Sequence, residues 1–138
     1  MRISKRGAVG TAAAIAALCL SPAMAQADVG DGKLACNTYE ICFARNTTNT
    51  TYQKQFYQSG SHDGYTFTNI STGATGQGPL RDNAAQLRNR DGSCDVAVKN
   101  IRTLAPDQVQ TIPNNGNWYM LNSDLLNRND RHDRVNCG

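Results

Sequence analysis

The chain has 138 residues, 39% of them hydrophobic and 18% charged, with 14 Lys and Arg against 11 Asp and Glu for a formal net charge of +3. A length in this range makes one domain rather than several. Three of the cations, Arg2, Lys5 and Arg6, lie within the first six residues, so the remainder is neutral and gives no electrostatic case for nucleic acid or an anionic membrane as partner.

Those cations precede an apolar stretch from Ala8 to Leu20, then Ser21-Pro22 and the small-residue pattern Ala23-Met24-Ala25-Gln26-Ala27. The pattern predicts a secretory signal peptide over residues 1–27, cleaved after Ala25 or Ala27. The apolar run is too short for a membrane-spanning helix, which needs about 20 apolar residues. The expected product is a secreted, extracellular, monomeric single domain running from Asp28 to Gly138.

Beyond the leader, which holds Cys19, four cysteines remain: Cys36, Cys42, Cys94 and Cys137. An even set in an exported chain of this size predicts two disulfides. Three pairings are open; Cys36 with Cys42 and Cys94 with Cys137 are favoured, one local ring and one long closure. A zinc site is the rival reading, but no CxxC pair is present and the export route is oxidising.

Helical periodicity is scarce. Short β-favouring runs follow one another instead: Glu40 to Arg45, Gln53 to Gln58, Tyr65 to Thr68, Ala85 to Arg88, Asp95 to Ile101, Gln108 to Ile112 and Asn117 to Leu121. Turn-formers separate them: Ser59-Gly60-Ser61, Gly73 to Pro79, Asp91-Gly92 and Pro113-Asn114-Asn115-Gly116. This pattern predicts an all-β sandwich, with one brief helical turn at Asp124 to Asn129. The run Asn46-Thr47-Thr48-Asn49-Thr50-Thr51 reads as a solvated hairpin connection. It holds two Asn-x-Thr sequons, and Asn69-Ile70-Ser71 is a third, all acceptors only in a glycosylating host.

The two halves echo each other. Cys42-Phe43-Ala44-Arg45-Asn46 is followed by Phe56, Gly60, the run Gly64 to Asn69, Arg81-Asp82-Asn83 and Asn89; Val96-Ala97-Val98-Lys99-Asn100 is followed by Ile112, Gly116, the run Asn117 to Asn122, Arg128-Asn129-Asp130 and Asn136. Neither half can bury a sheet face alone, so two units of about four strands each are expected to pack face to face around one core.

Cys36-x5-Cys42-Phe43, the glycine-rich turn after an aromatic run, Asp82 to Asn89, and Ser93-Cys94-Asp95-Val96-Ala97-Val98 together resemble the small secreted βγ-crystallin-like proteins of actinobacteria grouped as peptidase inhibitor family thirty-six. The resemblance spans about residues 33 to 138. It implies a βγ-crystallin-like sandwich of two Greek keys, with the closing run 127–138 forming the last strand, Val135 facing the core and Cys137 tied to Cys94. For the inhibitor members it implies blockade of extracellular proteases, notably metalloproteinases. Many βγ-crystallin relatives carry an Asn/Asp-Asn/Asp-x-x-Ser/Thr-Ser calcium motif in each key. The matching stretches here, Arg81 to Gln86 and Asn129 to Arg134, both depart from it. Asp82, Asn129, Asp130 and Asp133 remain as ligands for at most a weak calcium site, while Arg81, Arg131 and Arg134 oppose a cation and favour turns and arginine–carboxylate pairs. No cofactor is otherwise expected.

An inhibitor needs an exposed loop held extended by a rigid scaffold, since pre-organisation spares the ordering entropy of binding. The candidate loops are Ser71-Thr72-Gly73 through Gly78-Pro79-Leu80, and Ser59-Gly60-Ser61 through Gly64, with Ile101 to Pro106 in reserve. Three alternatives remain. The protein could be a βγ-crystallin-like binding or toxin-like antimicrobial protein. Trp118 and Tyr119 could stack on wall polysaccharide, although one of the two is expected in the core. Or His62 and His132, the only histidines, each followed by an Asp, could serve as acid and base of a small nuclease. Histidines in such a setting are expected to be solvated, and no Ser-His-Asp order or HExxH accompanies them; the reading is of a non-enzyme acting on an extracellular protease.

Overall fold

A computed structural model describes residues 35–138. The predicted signal peptide lies outside the described residues. Nine strands follow in chain order: β1 (Ile41–Ala44), β2 (Tyr52–Phe56), β3 (Gly60–Ser61), β4 (Thr68–Asn69), β5 (Gln86–Asn89), β6 (Asp95–Asn100), β7 (Gln108–Ile112), β8 (Trp118–Met120) and β9 (Arg131–Val135). They form two antiparallel sheets, ordered β4-β2-β1-β5-β8 and β3-β9-β6-β7. No helix occurs among the described residues, as the lack of 3.6-residue periodicity led one to expect.

The centre of each sheet is its most apolar strand. In β1 every residue is buried, with Ile41 and Phe43 directed into the core; in β6, Val96 and Val98 face them from the other sheet. Phe56 of β2, Leu87 of β5 and Ile112 of β7 complete the two inner faces, and Phe67, Leu80, Ala84, Leu121 and Leu125 fill the ends from connections. Each such Val, Leu, Ile or Phe side chain contributes about 1.5–3 kcal/mol on burial, the Ala84 methyl less. In the connection at 46–51, expected to be solvated, residues 47–49 are exposed while 46, 50 and 51 are half-buried.

The sheets are not the two halves of the chain. Residues 41–89 supply β1, β2, β4 and β5 to the first sheet but β3 to the second, where Gly60 and Ser61 pair with His132 and Arg131 of β9. In return the second half sends β8 to the first sheet, where Trp118, Tyr119 and Met120 pair with Arg88, Leu87 and Gln86 of β5. Leaving β4 aside, the orders β2-β1-β5-β8 and β7-β6-β9-β3 correspond element for element. Each half thus closes the other's sheet, so neither is complete alone.

Two disulfides join Cys36 to Cys42 and Cys94 to Cys137, the favoured pairing. Other expectations need correction. Tyr65 to Thr68 is not a strand: only Thr68–Asn69 pairs with β2, and Thr66 bridges Pro79, because the backbone turns to drop Phe67 into the core. Ser59-Gly60-Ser61 is not a plain turn, since it contains β3. In β9 the residue sealed in the core is His132; Val135, three positions on and therefore directed to the opposite face, is only half-buried. The turn at 123–127 is helix-like, with Leu126 N donating to Asn122 O at 2.8 Å.

Candidate functional site

The histidines, expected to be solvated, are the reverse. Both have 0% exposure, enclosed by Phe43 and Phe56, with ring centroids of Phe43 and His62 4.6 Å apart and of Phe56 and His132 4.7 Å apart. The pairing of β3 with β9 sets them side by side, so His62 Nε2 lies 3.0 Å from His132 Nδ1.

Only one proton assignment gives each nitrogen a partner. The Gln58 carbonyl, 2.9 Å away, can only accept, so His132 Nε2 donates to it. His132 Nδ1 then accepts from His62 Nε2, and His62 Nδ1 accepts from Asn129 Nδ2 at 2.6 Å. The longer approach of His62 Nδ1 to the Asn129 carbonyl, 3.3 Å, is then not a hydrogen bond. Asn129 also donates to Leu80 O at 3.0 Å and accepts from Ala84 N at 2.9 Å. The result is a directed chain from Asn129 through two neutral imidazoles to Gln58.

Burial pushes His62 down to about 3, helped by the adjacent His132, and pushes His132 down to about 4. Neutral rings without solvent access are core elements in this conformation; a nuclease's acid and base must touch substrate.

The residues proposed for calcium are also engaged. Asn129 spends its side chain on the histidine chain. Asp130 Oδ1 meets Arg81 Nη2 at 2.8 Å and its Oδ2 accepts from Ile101 N at 2.6 Å. Arg81 Nη1 binds Asp63 Oδ1 at 2.7 Å, and Arg81 Nε lies 3.8 Å from Asp82 Oδ2. One guanidinium thus stands among three carboxylates where a cation would sit; its hydrogen bond holds the Asp63 carboxyl below the usual range. Asp133 lies elsewhere, on β9, between Lys99 at 2.7 Å and Arg131 at 2.6 Å.

The three candidate loops differ in how far they project. Ser59-Gly60-Ser61 runs into β3, and the next residue is the sealed His62. From Ser71-Thr72-Gly73 to Gly78-Pro79-Leu80 the chain folds back on itself: Gly73 N donates to Asn69 O, Phe67 N to Gly78 O and Leu80 N to Tyr65 O, and Leu80 is in the core. Positive φ at Gly73, Gly76 and Gly78 gives it a coiled rather than extended course.

The reserve segment is the projecting one. All seven residues of the β6–β7 loop, 101–107, are exposed, and Leu104 at its tip is 97% exposed. Its base is fixed by the bond from Ile101 N to Asp130, and its arms are cross-linked by Arg102 N to Asp107 Oδ1 at 3.1 Å and Arg102 Nε to Pro106 O at 2.9 Å. Beside it lies a hollow of about 250 Å³ lined by Ser61, Asp63, Arg81, Ile101, Asp130 and Arg131.

Against known protein families, curated proteins and solved structures, the chain finds no match. Trp118 is half-buried, and Tyr119 packs against the core with its hydroxyl accepting from Asn115 Nδ2 at 2.6 Å, so the pair is no flat platform. The signal that could have ranked the loops is Leu104-Ala105-Pro106: a large apolar residue at the middle of a hairpin loop has no partner strand to bury it.

Proposed function

We propose that this chain is a secreted, non-enzymatic peptidase inhibitor on a βγ-crystallin-like scaffold of two Greek keys, and that the loop 101–107, with Leu104 at its centre, is what it inserts into an extracellular protease. The observation that carries this reading is Leu104 held out in solvent on a loop braced at its base and across its arms. Leaving a leucine side chain in water forfeits about 1.5–3 kcal/mol of burial, which a protease's apolar specificity pocket would recover. Bracing keeps the ordering cost of binding low. The reciprocal strand exchange between halves and the two disulfides support the scaffold part of the reading, since both stiffen the base from which the loop projects.

The test is titration of the oxidised protein from Asp28 onward against a thermolysin-like metalloprotease and a subtilisin-like serine protease. Near-equimolar blockade is expected, weakened at least about 30-fold by Leu104→Asp, the ~2 kcal/mol of a binding hot spot, with the melting temperature unchanged. Full protease activity at tenfold molar excess of the protein, or equal blockade by the Leu104→Asp variant, would overturn it.

A further inference from the structure

The short disulfide ring displays an aromatic side chain in a way that folding does not ask for. Tyr39, in the loop closed by Cys36 and Cys42, has φ 72° and is 65% exposed. A left-handed turn position is ordinarily given to Gly, Asn or Asp, and a large residue there is strained.

The scaffold fixes this conformation from several directions. Tyr39 N donates to Arg90 O at 2.8 Å, and Arg90 N donates to Glu40 O at 2.9 Å. Arg90 Nη1 donates to Cys36 O at 2.7 Å and Nη2 to Thr38 Oγ1 at 3.3 Å. The buried Glu40 carboxylate accepts from Asn37 N at 2.5 Å. The ring itself lies against Gly92, where a Cβ would come within 2.7 Å of Tyr39 Cε1. Gly92 is what lets the ring lie there.

This ring forms one wall of an open groove of about 540 Å³, lined by Tyr39, Tyr57, Gln58, Asp91, Gly92, Ser93 and Arg134. The volume is that of a small-molecule site. Its polar part is an ion pair, with Arg134 Nε donating to Asp91 Oδ2 and Arg134 Nη2 to Asp91 Oδ1 at 3.1 Å. Ser93 Oγ lies 3.3 Å from Asp91 Oδ1. Burial alone would raise the Asp91 carboxyl, but Arg134 and the Ser93 and Cys94 amides hold it below its ordinary value, so it stays charged and paired. The pair cancels its own charge, so the groove favours neither a free anion nor a free cation. Its chemistry is aromatic faces beside fixed, planar polar groups.

We propose that this groove binds a saccharide: an uncharged pyranose unit stacks its C–H face on Tyr39 while neighbouring hydroxyls bond Ser93 Oγ and the Arg134 guanidinium, which the buried Asp91 carboxylate holds in place. Stacking on an immobilised ring costs little conformational entropy, and vicinal hydroxyls can accept from the guanidinium edge and donate to or accept from the Ser93 hydroxyl beside it. The site is distinct from the loop 101–107, and its function would be to hold the protein on a glycan surface.

The test is ¹H–¹⁵N NMR of the oxidised protein titrated with chitotetraose, cellotetraose and maltotetraose, each to 10 mM. Saturable shifts at the amides of Tyr39, Gly92 and Ser93 with at least one of them are expected, weakened tenfold or more in Tyr39→Ala with the melting temperature retained. Tyr39→Phe should bind as the native protein does, because the ring and not its hydroxyl is required. Absence of shifts with all three sugars, shifts confined to other surfaces, or undiminished binding by Tyr39→Ala would overturn the proposal.

Discussion

His62 and His132, separated by 70 residues, share one hydrogen bond of 3.0 Å in the centre of the molecule and have no contact with water. Each ring is acceptor to one neighbour and donor to the next. A proton added to His132 Nδ1 would face the N–H of His62, so the arrangement holds only while both rings are neutral.

Acid should therefore unfold the protein in a defined window. Both histidines titrate near 6.5 when unfolded but near 3 and 4 when folded. The unfolded chain then binds more protons below pH 6.5, and stability is complete above that pH and falls as pH drops toward 4. The slope is about 1.4 kcal/mol per pH unit for each histidine. The urea midpoint should drop steeply between pH 6.5 and 4.5. The carboxylates held low by their partners, Asp63, Asp91 and Asp133, lose their contributions only below the ordinary carboxylate range. A midpoint flat from pH 7 to 4.5 would mean that the rings are not sealed.

Asn129 is the anchor of the chain, serving His62, Leu80 and Ala84 at once. Replacing it by Ala leaves buried groups without partners, at about 1–3 kcal/mol each. Asn129→Asp should be no gentler, since a carboxylate cannot donate to His62 or to the Leu80 carbonyl. Equilibrium denaturation of both variants, with losses of at least ~2 kcal/mol, is the measurement; near-native stability of Asn129→Asp would contradict the proton assignment.

Arg81 stands in for a cation among Asp63, Asp82 and Asp130. Half-exposed ion pairs of this kind are worth at most about 1 kcal/mol, so Arg81→Ser should unfold only slightly earlier in low-salt buffer without calcium. Freed of the guanidinium, the three carboxylates should take a hard divalent ion, and millimolar calcium should then raise the melting temperature of Arg81→Ser more than that of the native chain. Equal calcium responses from the two proteins would show that the carboxylates do not converge.

The two disulfides should differ in worth. On the chain-entropy model, closing the 43-residue separation between Cys94 and Cys137 gives about 4 kcal/mol, and the separation of 6 between Cys36 and Cys42 about 2. Paired Cys→Ala variants compared by chemical denaturation should preserve that order. Removing Cys36 and Cys42 should also free Tyr39 from its turn.

Much of the architecture is legible in the order of residues. Runs such as Ile41-Cys42-Phe43-Ala44 and Val96-Ala97-Val98 announce the central strands, and the recurrence of the same order of parts announces two similar halves. β8 falls within the run Asn117 to Leu121, but β3 carries little such signal, because two residues are too few to show alternation. The histidine chain is equally hidden: Ser61-His62-Asp63 and Arg131-His132-Asp133 look solvent-facing, since flanking charges mark only the outward positions of each strand. Tyr39 gives no local hint of its left-handed backbone, which is imposed by Arg90, 51 positions away.

Sequence by itself determined most of the elements, the likeness of the halves and the even count of cysteines from Cys36 onward, because strand propensity, turn chemistry and cysteine number are local properties. Tertiary structure alone decided that the halves exchange β3 and β8, that two histidines become core, that Arg81 occupies the place of a cation, and that Leu104 and Tyr39 are what the surface presents. These depend on which distant segments share a sheet. Register between β3 and β9 is chosen by the packing energy of the whole core, and no window along the chain contains it.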